Sequence, residues 1–138
     1  MYRFKDYTDL NIIPLTKMSS TQILNTFKSN LLDFFDELMQ LAPQEKDLVV
    51  IKFMLNDRIP ITQVMDYFVT RIIPIKASIA ERDSRVFADI FGMLPQDQAK
   101  NLSNLWYSNQ LEKDDRETIW KWIDGFLKIA ERYEKTRA

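Results

Sequence analysis

The chain has 138 residues, 46% hydrophobic and 28% charged, which suits one domain with its own core and argues against disorder of the whole chain. Lys plus Arg total 19 and Asp plus Glu total 20, so the formal charge is -1 and the basic excess of a generic nucleic-acid binder is missing. Cysteine and histidine are both absent, which excludes disulfides, thiol catalysis and zinc–thiolate sites and removes the commonest general base and transition-metal ligand.

Residues 1–18 read as an extended N-terminal arm. Tyr2, Phe4, Tyr7, Leu10, Ile12 and Ile13 supply apolar anchors, and Pro14 interrupts any helix. The arm is expected to lie across its own core or to reach a partner. Residues 19–138 form the helical domain. Ser19 or Ser20 can cap a first helix in which Ile23, Phe27, Leu31, Phe34, Phe35 and Leu38 recur at three- and four-residue spacing up to Pro43. A second helix is expected over 44–56. Its apolar residues are crowded, from Leu48 and Val49 to Phe53 and Leu55, which suggests burial all round.

Pro60 opens a third helix with Val64, Met65, Phe68 and Ile72 on its apolar face, and Pro74 should end or kink it. Residues 75–80 continue as a turn or short helix. Glu81-Arg82-Asp83 reads as a turn with local ion pairs, and Asp83 or Ser84 starts the next helix, with Gly92 as its stop. Pro95 and Asp97 mark another start, with Leu102, Leu105 and Trp106 facing inward and an end near Leu111. Asp114 with Glu117 fits a capping-box variant before the last helix. Only two glycines are present, which favours helices joined by short links. The expected fold is therefore all-α: a compact single-domain bundle of five to six helices plus the arm.

The last helix is the best sorted. At about 100° per residue, Trp120, Trp122, Ile123, Phe126, Leu127, Ile129, Ala130 and Tyr133 fall within roughly 180°, opposite Lys121, Asp124, Lys128, Glu131 and Arg132. That face is wider than one neighbour needs, so the helix should be a central stave. Trp120 and Trp122 lie about 200° apart and must meet different neighbours. Trp120 fits the core. Trp122, with Ile129 and Gly125 beside it, is the expected edge for contact with another chain, and a close backbone approach would account for a mid-helix glycine. Tyr2, Phe4 and Tyr7 are the arm's candidate contacts.

Reactive chemistry is sparse. Asp33, Asp36 and Glu37 form one acidic group, and Asp114, Asp115 and Glu117 another. Carboxylates can bind Mg²⁺ or share acid and base roles. A solvated face and complementarity to the helix dipole explain the two groups more simply. Lys121, Lys128, Arg132 and Lys135 make a basic stripe, but Asp124, Glu131 and Glu134 interleave with it. Residues 49–72 have the outline of a helix-turn-helix, yet Gln63, Asp66, Tyr67, Thr70 and Arg71 are a poor groove-reading set. No phosphate-binding glycine loop, hydrolase elbow or metalloprotease pair occurs. No cofactor or metal is expected, and no stretch approaches the roughly 18 apolar residues of a membrane span.

Phe34-Phe35-Asp36-Glu37-Leu38, Arg82-Asp83 followed by Phe87, Leu105-Trp106, and above all Ile119-Trp120-Lys121-Trp122-Ile123-Asp124 before Phe126 resemble a group of short helical proteins encoded by nucleocytoplasmic large DNA viruses. The resemblance spans about residues 24–133 and brings no catalytic residues. It implies a viral setting, in the virion or the cytoplasm of the infected host cell, and a minor capsid or other virion role. The sequence reading is thus a non-enzymatic structural or assembly protein whose partners are itself or other virion proteins. A regulatory adaptor binding a host or viral protein is the alternative, and a nucleic-acid-associated factor ranks below both.

Overall fold

A computed structural model describes residues 15–137. Tyr2, Phe4, Tyr7 and the rest of the expected arm before Leu15 lie outside the described residues. Every regular element among the described residues is helical. A 3₁₀ turn at Leu15–Lys17 leads into α1 (Ser20–Leu41), α2 (Asp47–Phe53), α3 (Ile61–Tyr67), α4 (Lys76–Ala80), α5 (Val86–Ile90), α6 (Gln96–Trp106) and α7 (Lys113–Arg137). Residues 61–80 run without a break through α3, a π turn at Phe68–Ile72, a 3₁₀ turn at Ile73–Ile75 and α4, so these elements make six rods.

Local chemistry sets the boundaries. Ser19 caps α1 in a full capping box: its hydroxyl accepts from the Gln22 N–H at 3.2 Å, and the Gln22 Oε1 accepts from the Ser19 N–H at 2.8 Å. The π turn before Pro74 has a steric cause. The proline ring would strike the carbonyl of residue 70, and a widened turn moves that carbonyl aside. Arg82 has φ 59°, the left-handed conformation that ends α4, with the Asp83 N–H reaching the Ser78 carbonyl at 3.0 Å.

Three starts and stops differ from the sequence reading. Helix α6 ends at Trp106 instead of Leu111, because the Arg116 guanidinium takes up the loop carbonyls. It donates to Trp106 O at 3.0 and 3.1 Å, Ser108 O at 2.8 Å and Leu111 O at 2.6 Å. Helix α7 starts at Lys113, and its reciprocal bond comes from Asp115, which accepts from the Glu112 N–H at 3.0 Å. Gly92 does follow α5 but has no positive φ. Its lack of a side chain makes room: a Cβ there would sit 2.7 Å from the Tyr67 hydroxyl.

The core forms around α7, which packs against α1, the 68–75 turns and α4. Trp122 stands 5.5 Å from Phe34 and 6.0 Å from Phe126, and Phe126 meets Phe27 edge-on at 6.0 Å. On the other side of α7, Trp120 meets Phe87 at 4.9 Å and Trp106 at 5.4 Å. The two tryptophans do face different neighbours.

Candidate contact surface

The edge of α7 that the sequence nominated for another chain is inside the fold. Trp122 and Ile129 are fully buried, and Gly125 is buried with them. The physical reason is the width of the apolar arc itself. A central stave has neighbours on both flanks, and α1 with the α3–α4 rod on one side and α5–α6 on the other consume the whole arc. The contact role assigned to Trp122, Gly125 and Ile129 is corrected accordingly.

The surplus apolar surface lies on α2. Val49 is 59% exposed, Val50 43% and Phe53 50%, so this helix is not buried all round. Leu48, Ile51 and Leu55 face the core. Periodicity separates the two sets. With Val49 at zero, Phe53 and Val50 fall within about 100°, while Leu48 and Ile51 lie on the opposite side. The crowding of apolar residues hid two faces, one inward and one outward. Contiguous exposed apolar groups of this kind mark contact surfaces more often than single scattered ones.

This face is held in place from several directions. The Lys52 ammonium pairs with Asp36 at 2.5 Å, and Lys28 donates to the Asn56 carbonyl at 3.0 Å, fastening α2 and the turn that follows it along α1. Asp47 accepts from Gln98 at 3.4 Å and from Asn101, fastening its start to α6. After Phe53 the helix widens into a π turn, Met54–Arg58. In such a turn residues five apart stack, and the Arg58 guanidinium lies 5.6 Å from the centre of the Phe53 ring. Lys46, one turn before Val49 and Val50, is exposed at the other end of the stripe.

A second exposed aromatic is Tyr107, 66% exposed on the α6–α7 loop. Arg116 clamps the carbonyls on both sides of it. Sequence reasoning passed over Tyr107 and the α2 stripe. For Tyr107 no local signal exists, because its exposure follows from the early end of α6.

The remaining candidates are absorbed by the fold. Of the first acidic group, Asp36 is paired with Lys52 and Glu37 is buried at 7% exposure, so that face is not simply solvated. Among the described residues no group of three or more acids is arranged to hold a metal ion. The interleaved acids of α7 reach other elements: Asp124 forms a two-bond pair with Arg82 at 2.8 and 2.9 Å, and Glu131 meets Lys76 at 3.4 Å. That pair, rather than a contact within the 81–83 turn, raises the proton affinity of Arg82, while Arg85 holds the Asp83 carboxyl below its ordinary range through hydrogen bonds. Two residues of the face that a helix-turn-helix would present have partners within the fold. Asp66 pairs with Arg137 at 3.0 Å, and the Tyr67 hydroxyl donates to the Asp89 carbonyl at 2.5 Å.

One crevice opens between α1, α3, α7 and the loop after α5, with a volume of about 40 Å³. Leu31, Phe35, Leu55, Phe91 and Met93 are among its walls, and every lining side chain is apolar. It is far smaller than the roughly 150 Å³ cavity that accepts a benzene ring, and it offers nothing to orient a substrate. No helix among the described residues is long and apolar enough to cross a membrane. Set beside known proteins, the chain matches no family model, no curated protein and no solved structure.

Proposed function

We propose that the chain is a non-enzymatic structural or assembly protein that acts by contact, through the outward face of α2. The observation that carries this reading is the exposure of Val49, Val50 and Phe53 together on a helix fixed to α1 and α6 by one ion pair and several hydrogen bonds. A face held rigid before binding loses little conformational freedom on association, which favours specific contact. The poverty of reactive groups described above supports the same reading. The virion setting rests on the viral resemblance. Within it, the chain is a minor component whose stripe meets a neighbouring protein.

The test places a photo-crosslinking amino acid at Val50 or at Lys128 in cells where the chain normally occurs. Lys128 lies on the exposed polar side of α7 and serves as the control. Repeated adducts of defined mass from Val50, absent from Lys128, are the expected result. Equal yields at the two positions contradict the contact role. Finding the chain by mass spectrometry in purified particles supports the virion setting, and its absence from them removes that setting alone.

A further inference from the structure

The ends of the α2 stripe carry the same charge pattern. Glu45 and Lys46 stand before it, and Asp57 and Arg58 after it. Lys46, Asp57 and Arg58 are exposed and Glu45 is half-buried. The order is therefore acid–base at the start and acid–base at the end, with the apolar residues between them.

Laid antiparallel on a second copy, this pattern is complementary to itself. Two copies of α2 with its following π turn, related by a two-fold axis beside residues 51 and 52, put positions that sum to 103 at about the same level, with Glu45 just before the helix. Val50 then lies level with Phe53 of the other copy, Lys46 with Asp57, and Glu45 with Arg58. Both charged rungs join opposite signs, and each occurs twice. This is the signature of an isologous contact, in which the same patch serves both subunits. A parallel arrangement in register would set each charge beside its own kind.

From this charge complementarity we propose that the outward face of α2 pairs with the same face of a second copy, giving an antiparallel two-fold dimer. The proposal rests on the contact role given above and names its partner. Three exposed apolar side chains per copy make a small interface, so the dimer is of the weak, concentration-dependent kind, with charged rungs setting register more than affinity. Arg58 already lies against its own Phe53, so it reaches the partner's Glu45 from a prepared position.

Sedimentation equilibrium of the purified chain up to about 1 mM tests this at a concentration where weak pairs assemble. A monomer–dimer equilibrium is expected. Phe53→Lys should abolish dimers while leaving the helical circular dichroism unchanged, since Phe53 is half-exposed. Lys46→Asp should weaken pairing about tenfold, and Lys46→Asp combined with Asp57→Lys should restore it, because both copies of the 46–57 rung regain opposite signs. Two outcomes overturn the proposal: a chain that stays monomeric throughout, or dimers that persist in Phe53→Lys. A monomer whose Val50 cross-linker still captures another protein sinks the self-pairing and leaves the contact role standing. A monomer with no Val50-specific adducts sinks both.

Discussion

Two apolar stretches of this chain look alike in composition and end in opposite places. The centre of α7, from Trp120 to Ala130, and the run Leu48–Phe53 of α2 both crowd large apolar residues into a few turns. In α7 the whole arc is buried, down to Trp122 and Ile129 at zero exposure. In α2 three of the five apolar residues face outward. The difference lies in the neighbours. Helix α7 is 25 residues long and runs through the middle, where several rods flank it, whereas α2 is a single short layer on α1 and α6. A wide apolar arc therefore marks a central position, and an apolar stripe on a peripheral helix is the better sign of an outside partner.

Stability separates the two regions most sharply. Trp122→Ala should cost about 3–5 kcal/mol in urea unfolding, because it empties a site packed between Phe34 and Phe126. Phe53→Ser should cost under about 0.5 kcal/mol in the same assay. Comparable losses at the two positions would erase the contrast.

Arg116 comes next, since it holds the loop that presents Tyr107. Arg116→Ala should cost about 2 kcal/mol by leaving the carbonyls of Trp106, Ser108 and Leu111 without their donor. Arg116→Lys should recover only part, since a single ammonium does not span the three acceptors. Hydrogen exchange at residues 107–111 should rise in both variants.

A smaller effect is expected where α5 meets α3. Gly92→Ala should cost about 1–2 kcal/mol through the clash with the Tyr67 hydroxyl, and less in a Tyr67→Phe background. Non-additivity of the two changes is the reading to look for; strict additivity would mean the hydroxyl is not the obstacle.

The smallest effect concerns pH. Burial, and secondarily the nearby Asp89 carboxylate, raise the Tyr67 hydroxyl above its ordinary value of 10.0. The folded state thus holds this proton more tightly than the unfolded chain. Its contribution to stability is complete below pH 10 and is lost as pH rises through the folded value. Tyr67→Phe should flatten the alkaline limb of the stability curve, and an unchanged limb would assign it to other tyrosines or lysines.

Much of the fold was legible because its signals are local. The Ser19 cap, the helix-opening Pro60 and Pro95 and the loss of regular α-helix at Pro74 each follow from one residue's geometry. The central place of α7 follows from its arc. What was not legible depends on distant partners. Nothing around Trp106 says that Arg116 will draw its carbonyl away and end α6 early. Nothing in α7 says that Trp122 will meet Phe34, so on sequence alone its edge reads as one for another chain. The α2 stripe was within reach: the angular split between Leu48–Ile51 and Val49–Phe53 is present in the sequence, but crowding suggested burial, and only the short length of α2 argues otherwise.

The most direct measurement compares adduct yield from a photo-crosslinker at Val49 in the otherwise unchanged chain and in the Val50→Ser, Phe53→Ser double variant, with thermal melts of both. If α2 is the working surface, the yield falls at least about tenfold, the equivalent of 1.4 kcal/mol of association, while the melting temperature stays within a few degrees. An undiminished yield from the folded double variant would contradict the account.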